Sequence, residues 1–201
     1  MVIKAIIWDM GGVLLRTVDG SHREKLAASL GLSRQELENV VFSSESSHLA
    51  EIGLIDSDSH WEYVKNHFKL SDRDLVEFNE AFWAGDEMDH QLVSYIDKFR
   101  PVFKTGLISN AWSDARNLVD GKHHFLYAFN EVVFSAEVGF RKPGIEIFLL
   151  MLDRLFLKGS ECVFIDDFSQ NLNGAEKAGL KTILFTNPTE VIDQINKYII
   201  R

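Results

Sequence analysis

A small set of side chains, far apart in the sequence, has types suited to one piece of chemistry. Asp9 follows the apolar run Ile3 to Trp8 and is followed by the pair Gly11-Gly12. Ser109-Asn110 closes the stretch Thr105-Gly106-Leu107-Ile108. Lys142 stands before Pro143 in Gly139-Phe140-Arg141-Lys142-Pro143, and Asp166-Asp167 ends Cys162-Val163-Phe164-Ile165. One carboxylate with a later carboxylate pair can hold a hard cation through oxygen. A carboxylate beside such a cation can attack phosphorus and form an aspartyl-phosphate. A serine hydroxyl and free backbone amides can hold phosphate oxygens. A lysine offsets the charge that develops on them. Taken one at a time these residues have plainer uses. Asp9 can mark a turn, Ser109 can cap a helix, Lys142 can be a surface lysine, and the Asp pair can cap the next helix.

The elements around them decide between these uses. Short apolar runs at 3–8, 105–109, 131–135, 162–166 and 182–185 read as buried strands. Helical patterns separate the later ones: 111–119, 144–157, 169–178 and, after Pro188, a terminal helix to 199. Strands alternating with helices predict an α/β fold, a parallel sheet with helices on both faces. All the candidate residues then lie at or just past the carboxyl ends of strands, on the edge where such sheets hold their ligands. Between the first strand and the second the texture is helical. Helices are expected over 23–30, from the cap-like Ser33-Arg34-Gln35-Glu36 to 41, from Asp58, from Ser71 and over 91–99. This block predicts a cap inserted beside the crevice, with residues 16–99 as cap and 1–15 plus 100–201 as core.

Composition narrows the field. At 201 residues and 46% hydrophobic, with fifteen Phe and four Trp, the chain can bury a substantial, partly aromatic core. Its net charge of −9 argues against nucleic acid or an anionic membrane as the main partner. The single cysteine, Cys162, excludes an internal disulfide and a multi-cysteine metal site. The chain starts directly into a strand, with no signal peptide, and no window approaches the ~20 apolar residues of a membrane span. A cytoplasmic protein is expected.

In these motifs the sequence resembles the haloacid-dehalogenase-like (HAD-like) hydrolase superfamily, subfamily I, with its small helical cap. Ile6-Ile7-Trp8-Asp9, Gly106-Leu107-Ile108-Ser109-Asn110, Gly139-Phe140-Arg141-Lys142-Pro143 with Ile147-Phe148, and Val163-Phe164-Ile165-Asp166-Asp167 with Asn171, Ala175 and Gly179 match its four motifs in order, over nearly the whole chain. The resemblance implies a Rossmann-like core, Mg²⁺ and phosphomonoester hydrolysis. It implies Asp9 as nucleophile and metal ligand, Ser109 and the Asn110 backbone on the phosphoryl group, and Lys142 paired with nucleophile and phosphate. Gly11 would offer a backbone carbonyl to the metal. Asp167 would touch Mg²⁺ directly and Asp166 through a water, roles that can exchange.

Gly11 is also the departure: an Asp-x-Gly variant of the first motif. The usual second Asp protonates the leaving alcohol and activates water, and glycine does neither. General acid–base catalysis is worth ~10²–10⁴-fold, so hydrolysis of a small phosphorylated metabolite stays the leading expectation. A weakly active or non-catalytic, phosphate-ligand-binding or regulatory protein is the alternative. A metal-free 2-haloacid dehalogenase ranks below both, because Asp166 and Asp167 are both retained. From the cap, His48 and Glu51 are crevice candidates. Phe78, Phe82 and Trp83 read as cap core.

Overall fold

The computed structural model describes residues 2–199. In chain order its regular elements are β1 (Ala5–Trp8), β2 (Leu15–Thr17), α1 (Ser21–Ser29), α2 (Arg34–Phe42), α3 (Glu45–Glu51), α4 (Ser57–Phe68), α5 (Asp72–Trp83), β3 (Asp86–Met88) and α6 (His90–Phe99). There follow β4 (Lys104–Ser109), α7 (Ala115–His123), β5 (Glu131–Phe134), α8 (Ser135–Val138), α9 (Ile145–Leu155), β6 (Cys162–Asp166), α10 (Ser169–Lys177), β7 (Lys181–Leu184) and α11 (Pro188–Ile199).

Five strands form one parallel sheet in the order β5-β4-β1-β6-β7. The chain passes from β1 to β4 on one side and to β6 on the other. The carboxyl end of β1 therefore lies at the switch point, where open α/β sheets leave a crevice. Alternation along β1 feeds two cores. Ile6 and Trp8 pack with Leu92, Val93 and Ile96 of α6 and Val191 and Ile195 of α11. Ala5 and Ile7 pack on the opposite face with Ile147, Phe148 and Met151 of α9 and Leu172 and Ala175 of α10. Cys162 is a buried member of this second core.

The inserted helices build a third core of Ala27, Leu37, Val41, Val64, Phe78 and Phe82, with Trp61, Trp83 and Trp112 packed against it. Two of these helices have side-chain caps where expected, at Ser33 and Ser71, whereas the helix expected from Asp58 starts at Ser57 and is capped by Asp56. The insert is stitched to the sheet by an antiparallel ribbon of β2 and β3. Arg23, nearly buried, fastens that join. Its guanidinium donates to the Phe82 carbonyl at 2.9 Å, to Glu38 at 3.0 Å and to Asp86 at 2.6 Å. Every part of the charge is matched, which a buried guanidinium requires.

Other local features also differ from expectation. The helix α6, placed in the cap by its position in sequence, packs on the sheet through Leu92, Val93 and Ile96. The helix expected from Ala111 starts at Ala115, because residues 111–114 run out toward the insert and Trp112 joins its core. The helix α3 was not anticipated, although Ser44 caps it by accepting from the Ser47 amide at 3.2 Å.

Candidate active site

The site begins where β1 stops. The Asp9 amide still donates to the Ile165 carbonyl at 2.9 Å. The chain then wraps around the Met10 carbonyl, which accepts from Val13, Leu14 and Leu15. That tight wrap needs Gly12 at φ +78°, a conformation L side chains rarely adopt. Asp9 is left at the sheet edge with only 6% of its surface exposed.

Lys142 arrives from the loop after α8 and is 2% exposed. The Asn110 side chain aims it. Asn110 Nδ2 donates to the Lys142 carbonyl at 3.0 Å, and Asn110 Oδ1 accepts from the Lys142 amide at 2.8 Å. The ammonium Nζ then lies 2.6 Å from Asp9 Oδ1 and 2.7 Å from Asp166 Oδ2. Burial alone pulls this lysine down, but Asp9 and Asp166 outweigh it and hold the pKa above the ordinary value.

Asp166 is fully buried and both its oxygens are engaged. Oδ1 accepts from the Phe168 amide at 2.8 Å, Oδ2 accepts from Lys142, and Asn171 Nδ2 reaches both at 3.0 Å. Asp167, only partly buried, accepts no hydrogen bond from another residue among the described contacts and lies against Gly12. Ser109 is 2% exposed at the carboxyl end of β4, its hydroxyl making only a long 3.3 Å contact to the next carbonyl.

Oxygens of Asp9, Asp166 and Asp167 come within 4.8 Å of one another. Burial, reinforced by Asp166 and Asp167 and opposed by Lys142, pushes Asp9 up to about 8. Burial followed by Asp166 raises Asp167 as well. Three carboxylates against one ammonium leave excess negative charge. An all-oxygen donor set of that charge is chemically matched to a hard divalent cation. The space over Gly11 is open, with no heavy atom within 4 Å of where a β-carbon would stand.

The structure thus brings Asp9, Gly11, Ser109, Asn110, Lys142, Asp166 and Asp167 to one sheet edge. From the insert, α3 adds Glu51, whose Oε2 lies 2.7 Å from Arg141 Nε, and exposes His48 one turn earlier. The turn after α3 fits there because Gly53, at φ +70°, lets its backbone approach that of Ala136. A β-carbon at Gly53 would stand 2.4 Å from the Ala136 carbonyl oxygen. Two supporting roles, of residues already singled out in the sequence, were not anticipated. Asn171 was visible only as part of a motif, and the clamping side chain of Asn110 was expected to act through its backbone.

The family model for haloacid dehalogenase-like hydrolases matches residues 3–179. The chain belongs to this family. D-ribitol-5-phosphate phosphatase of Bacteroides thetaiotaomicron is 28% identical over 193 residues, covering 90% of this chain and 91% of its own. Bifunctional epoxide hydrolase 2 of Mus musculus is 32% identical over 124 residues, 60% of this chain but only 22% of the mouse protein. The chain therefore spans a small part of that larger relative. A HAD family enzyme from Bacteroides thetaiotaomicron, solved with magnesium and inorganic phosphate, superposes with a TM-score of 0.74 at 21% identity over 92% of this chain and 96% of that one. Among the described residues, no helix of this HAD-like chain is long and apolar enough to cross a membrane.

Proposed function

We propose that this HAD-like hydrolase is a Mg²⁺-dependent phosphomonoesterase that acts on a small phosphorylated metabolite through an aspartyl-phosphate at Asp9. The observation that carries this is the buried Lys142 ammonium spanning Asp9 and Asp166 beside a third carboxylate, Asp167. The phosphatase name of the relative matched over 90% of this chain, and the magnesium and phosphate in the similar structure, support it.

Mg²⁺ would be held by the Asp9 and Asp167 carboxylates and the Gly11 carbonyl, with Asp166 behind a water. Asp166 suits the outer position because its oxygens already accept from Lys142, Asn171 and Phe168. Bound there, the ion would offset the acidic cluster and polarise the phosphoryl oxygens. Asp9 attacks phosphorus in line, and the ester oxygen departs with the bonding pair. The Ser109 hydroxyl and the Asn110 amide hold the equatorial oxygens, and Lys142 balances their charge. Water then attacks the same phosphorus, which returns Asp9 and releases phosphate. Helices α1–α5 serve as the cap that shields these steps from bulk water.

Gly11 favours one second reading, a site that binds a phosphorylated ligand and turns it over slowly or not at all. Phosphate release from p-nitrophenyl phosphate, in Mg²⁺ and in EDTA, separates the two. This phenolate leaves without a proton, so the assay does not depend on an acid at Gly11. Release with Mg²⁺ only supports the phosphatase. No release, with Mg²⁺ binding shown by calorimetry, supports the binding reading.

A further inference from the structure

Trp112 follows the segment that carries Ser109 and Asn110, yet its side chain belongs to the insert. The indole packs against His60 of α4, with 4.5 Å between ring centroids, and edge-on against Trp61 at 5.4 Å. Its Nε1 donates to the Oγ of Ser47, a fully buried residue of α3, at 3.3 Å. Beside it, Ser113 Oγ accepts from the Ser57 amide at the start of α4 at 3.1 Å. The preceding residues hold to the sheet side. The Ala111 amide donates to Ser135 Oγ at 2.9 Å, and that hydroxyl donates back to the Ala111 carbonyl at 3.2 Å. Asn110 grips the backbone of Lys142.

Three segments therefore close into a frame. Residues 109–113 meet residues 135–142 through Ala111 with Ser135 and Asn110 with Lys142. They meet α3 through Trp112 and Ser47. The third side joins α3 and its turn to residues 135–142, through the 2.7 Å contact of Glu51 with Arg141 and the close approach of Gly53 to Ala136. Two sides carry groups of the phosphate site, Ser109 and Lys142, and the third belongs to the insert. Groups at a site keep their geometry only when the shell behind them is itself fixed. We infer that Trp112 is a positioning residue for the phosphoryl transfer: seated in the insert's aromatic cluster, it fixes residues 109–111 from the cap side and, through Asn110, the Lys142 ammonium. The insert then sets the aim of the charge-balancing lysine as well as covering the site. This rests on the phosphatase reading above.

A double-mutant cycle on kcat for p-nitrophenyl phosphate with Mg²⁺ tests it, using Trp112→Ala, Asn110→Ala and the two together. Trp112→Ala is expected to lower kcat by about tenfold or more, since a misplacement of about 1 Å can cost ~10²-fold. Residues that act through one another are not additive, so the double variant is expected within about threefold of Asn110→Ala alone. A merely structural role for Trp112 would lower the fraction of folded protein, and that loss would multiply onto the loss from Asn110→Ala. Multiplied losses would overturn the inference, and so would an unchanged kcat in Trp112→Ala. Trp112→Leu, which keeps apolar volume in the cluster, carries the same cycle if the alanine variant does not fold. The parent keeps the two levels apart. If it fails to hydrolyse p-nitrophenyl phosphate with Mg²⁺, the phosphatase reading and this inference fall together. If it does hydrolyse it and the losses multiply, only this inference falls.

Discussion

Asp167 lies so close to Gly12 that a β-carbon on Gly12 would stand 2.1 Å from the Asp167 Oδ2. The absent side chain of one residue is the seat of the other's carboxylate. Gly12→Ala is therefore expected to fail twice. It displaces Asp167, and it forces a φ of +78° on a residue with a side chain, at a cost of about 1–2 kcal/mol. Calorimetry is expected to show Mg²⁺ binding weakened by at least about tenfold, as loss of a ligand's support typically does, with a lowered Tm.

Asn110 spends its whole amide on the backbone of Lys142. Asn110→Ala removes both hydrogen bonds and releases the segment that aims the ammonium. A misplacement of about 1 Å at a reacting centre can cost ~10²-fold, so a loss of that order in kcat is expected on p-nitrophenyl phosphate. Steady-state kinetics with and without Mg²⁺ check it. An unchanged kcat would mean that Lys142 is positioned by its carboxylate partners alone.

Gly11 leaves open space around a β-carbon position, so Gly11→Asp starts an acidic side chain there without a β-carbon clash. The added group can protonate an alkoxide leaving group. The ratio of kcat on an alkyl phosphate to kcat on p-nitrophenyl phosphate is expected to rise by up to ~10², the lower range for general acid catalysis. A flat ratio, with Mg²⁺ still bound, would mean that proton delivery does not limit the alkyl ester.

Burial pushes Glu51 up to about 7 from an ordinary 4.5, against the pull of Arg141 and Lys142. His48, one turn away on α3, faces the same Arg141 and is itself lowered, by burial first and then by that arginine. Between about pH 4.5 and 7 the folded protein keeps a proton on Glu51 that the unfolded chain has lost. Raising the pH through this window therefore costs stability. Thermal unfolding of Glu51→Gln against the parent, from pH 4.5 to 8, is expected to show the variant gaining relative Tm as pH rises. A constant difference would contradict a buried, protonated Glu51.

Much of this architecture was legible because it rests on local signals. The runs ending at Trp8, Ser109, Ser135, Asp166 and Phe185 are short, mostly apolar and, after the inserted block, separated by helical periods, so the parallel sheet and its ligand edge followed. Ser33 and Ser71 announced their helices because capping is a matter of three or four adjacent residues. What was not legible depends on distant partners. The ribbon of Leu15–Thr17 with Asp86–Met88 is too short to show alternation. The helix at 90–99 looks like its sequence neighbours until Leu92, Val93 and Ile96 meet the sheet. The clamp of Asn110 on Lys142 joins residues whose separation carries no pattern, and so does the meeting of Glu51 with Arg141. The strand ends could be read, but the side chains that tune them could not.

The central claim is a covalent step at Asp9, and Gly11 makes it open to direct capture. With no group at Gly11 to activate water, breakdown of the aspartyl-phosphate is expected to be slower than its formation from p-nitrophenyl phosphate. The measurement is acid quenching during Mg²⁺-dependent turnover, followed by mass spectrometric mapping of the phosphoryl group. The account expects the phosphoryl group on the peptide bearing Asp9, and loss of both adduct and turnover, by at least about 10³-fold, in Asp9→Asn. Turnover at the parent rate in Asp9→Asn, or a phosphoryl group on another residue, would contradict it.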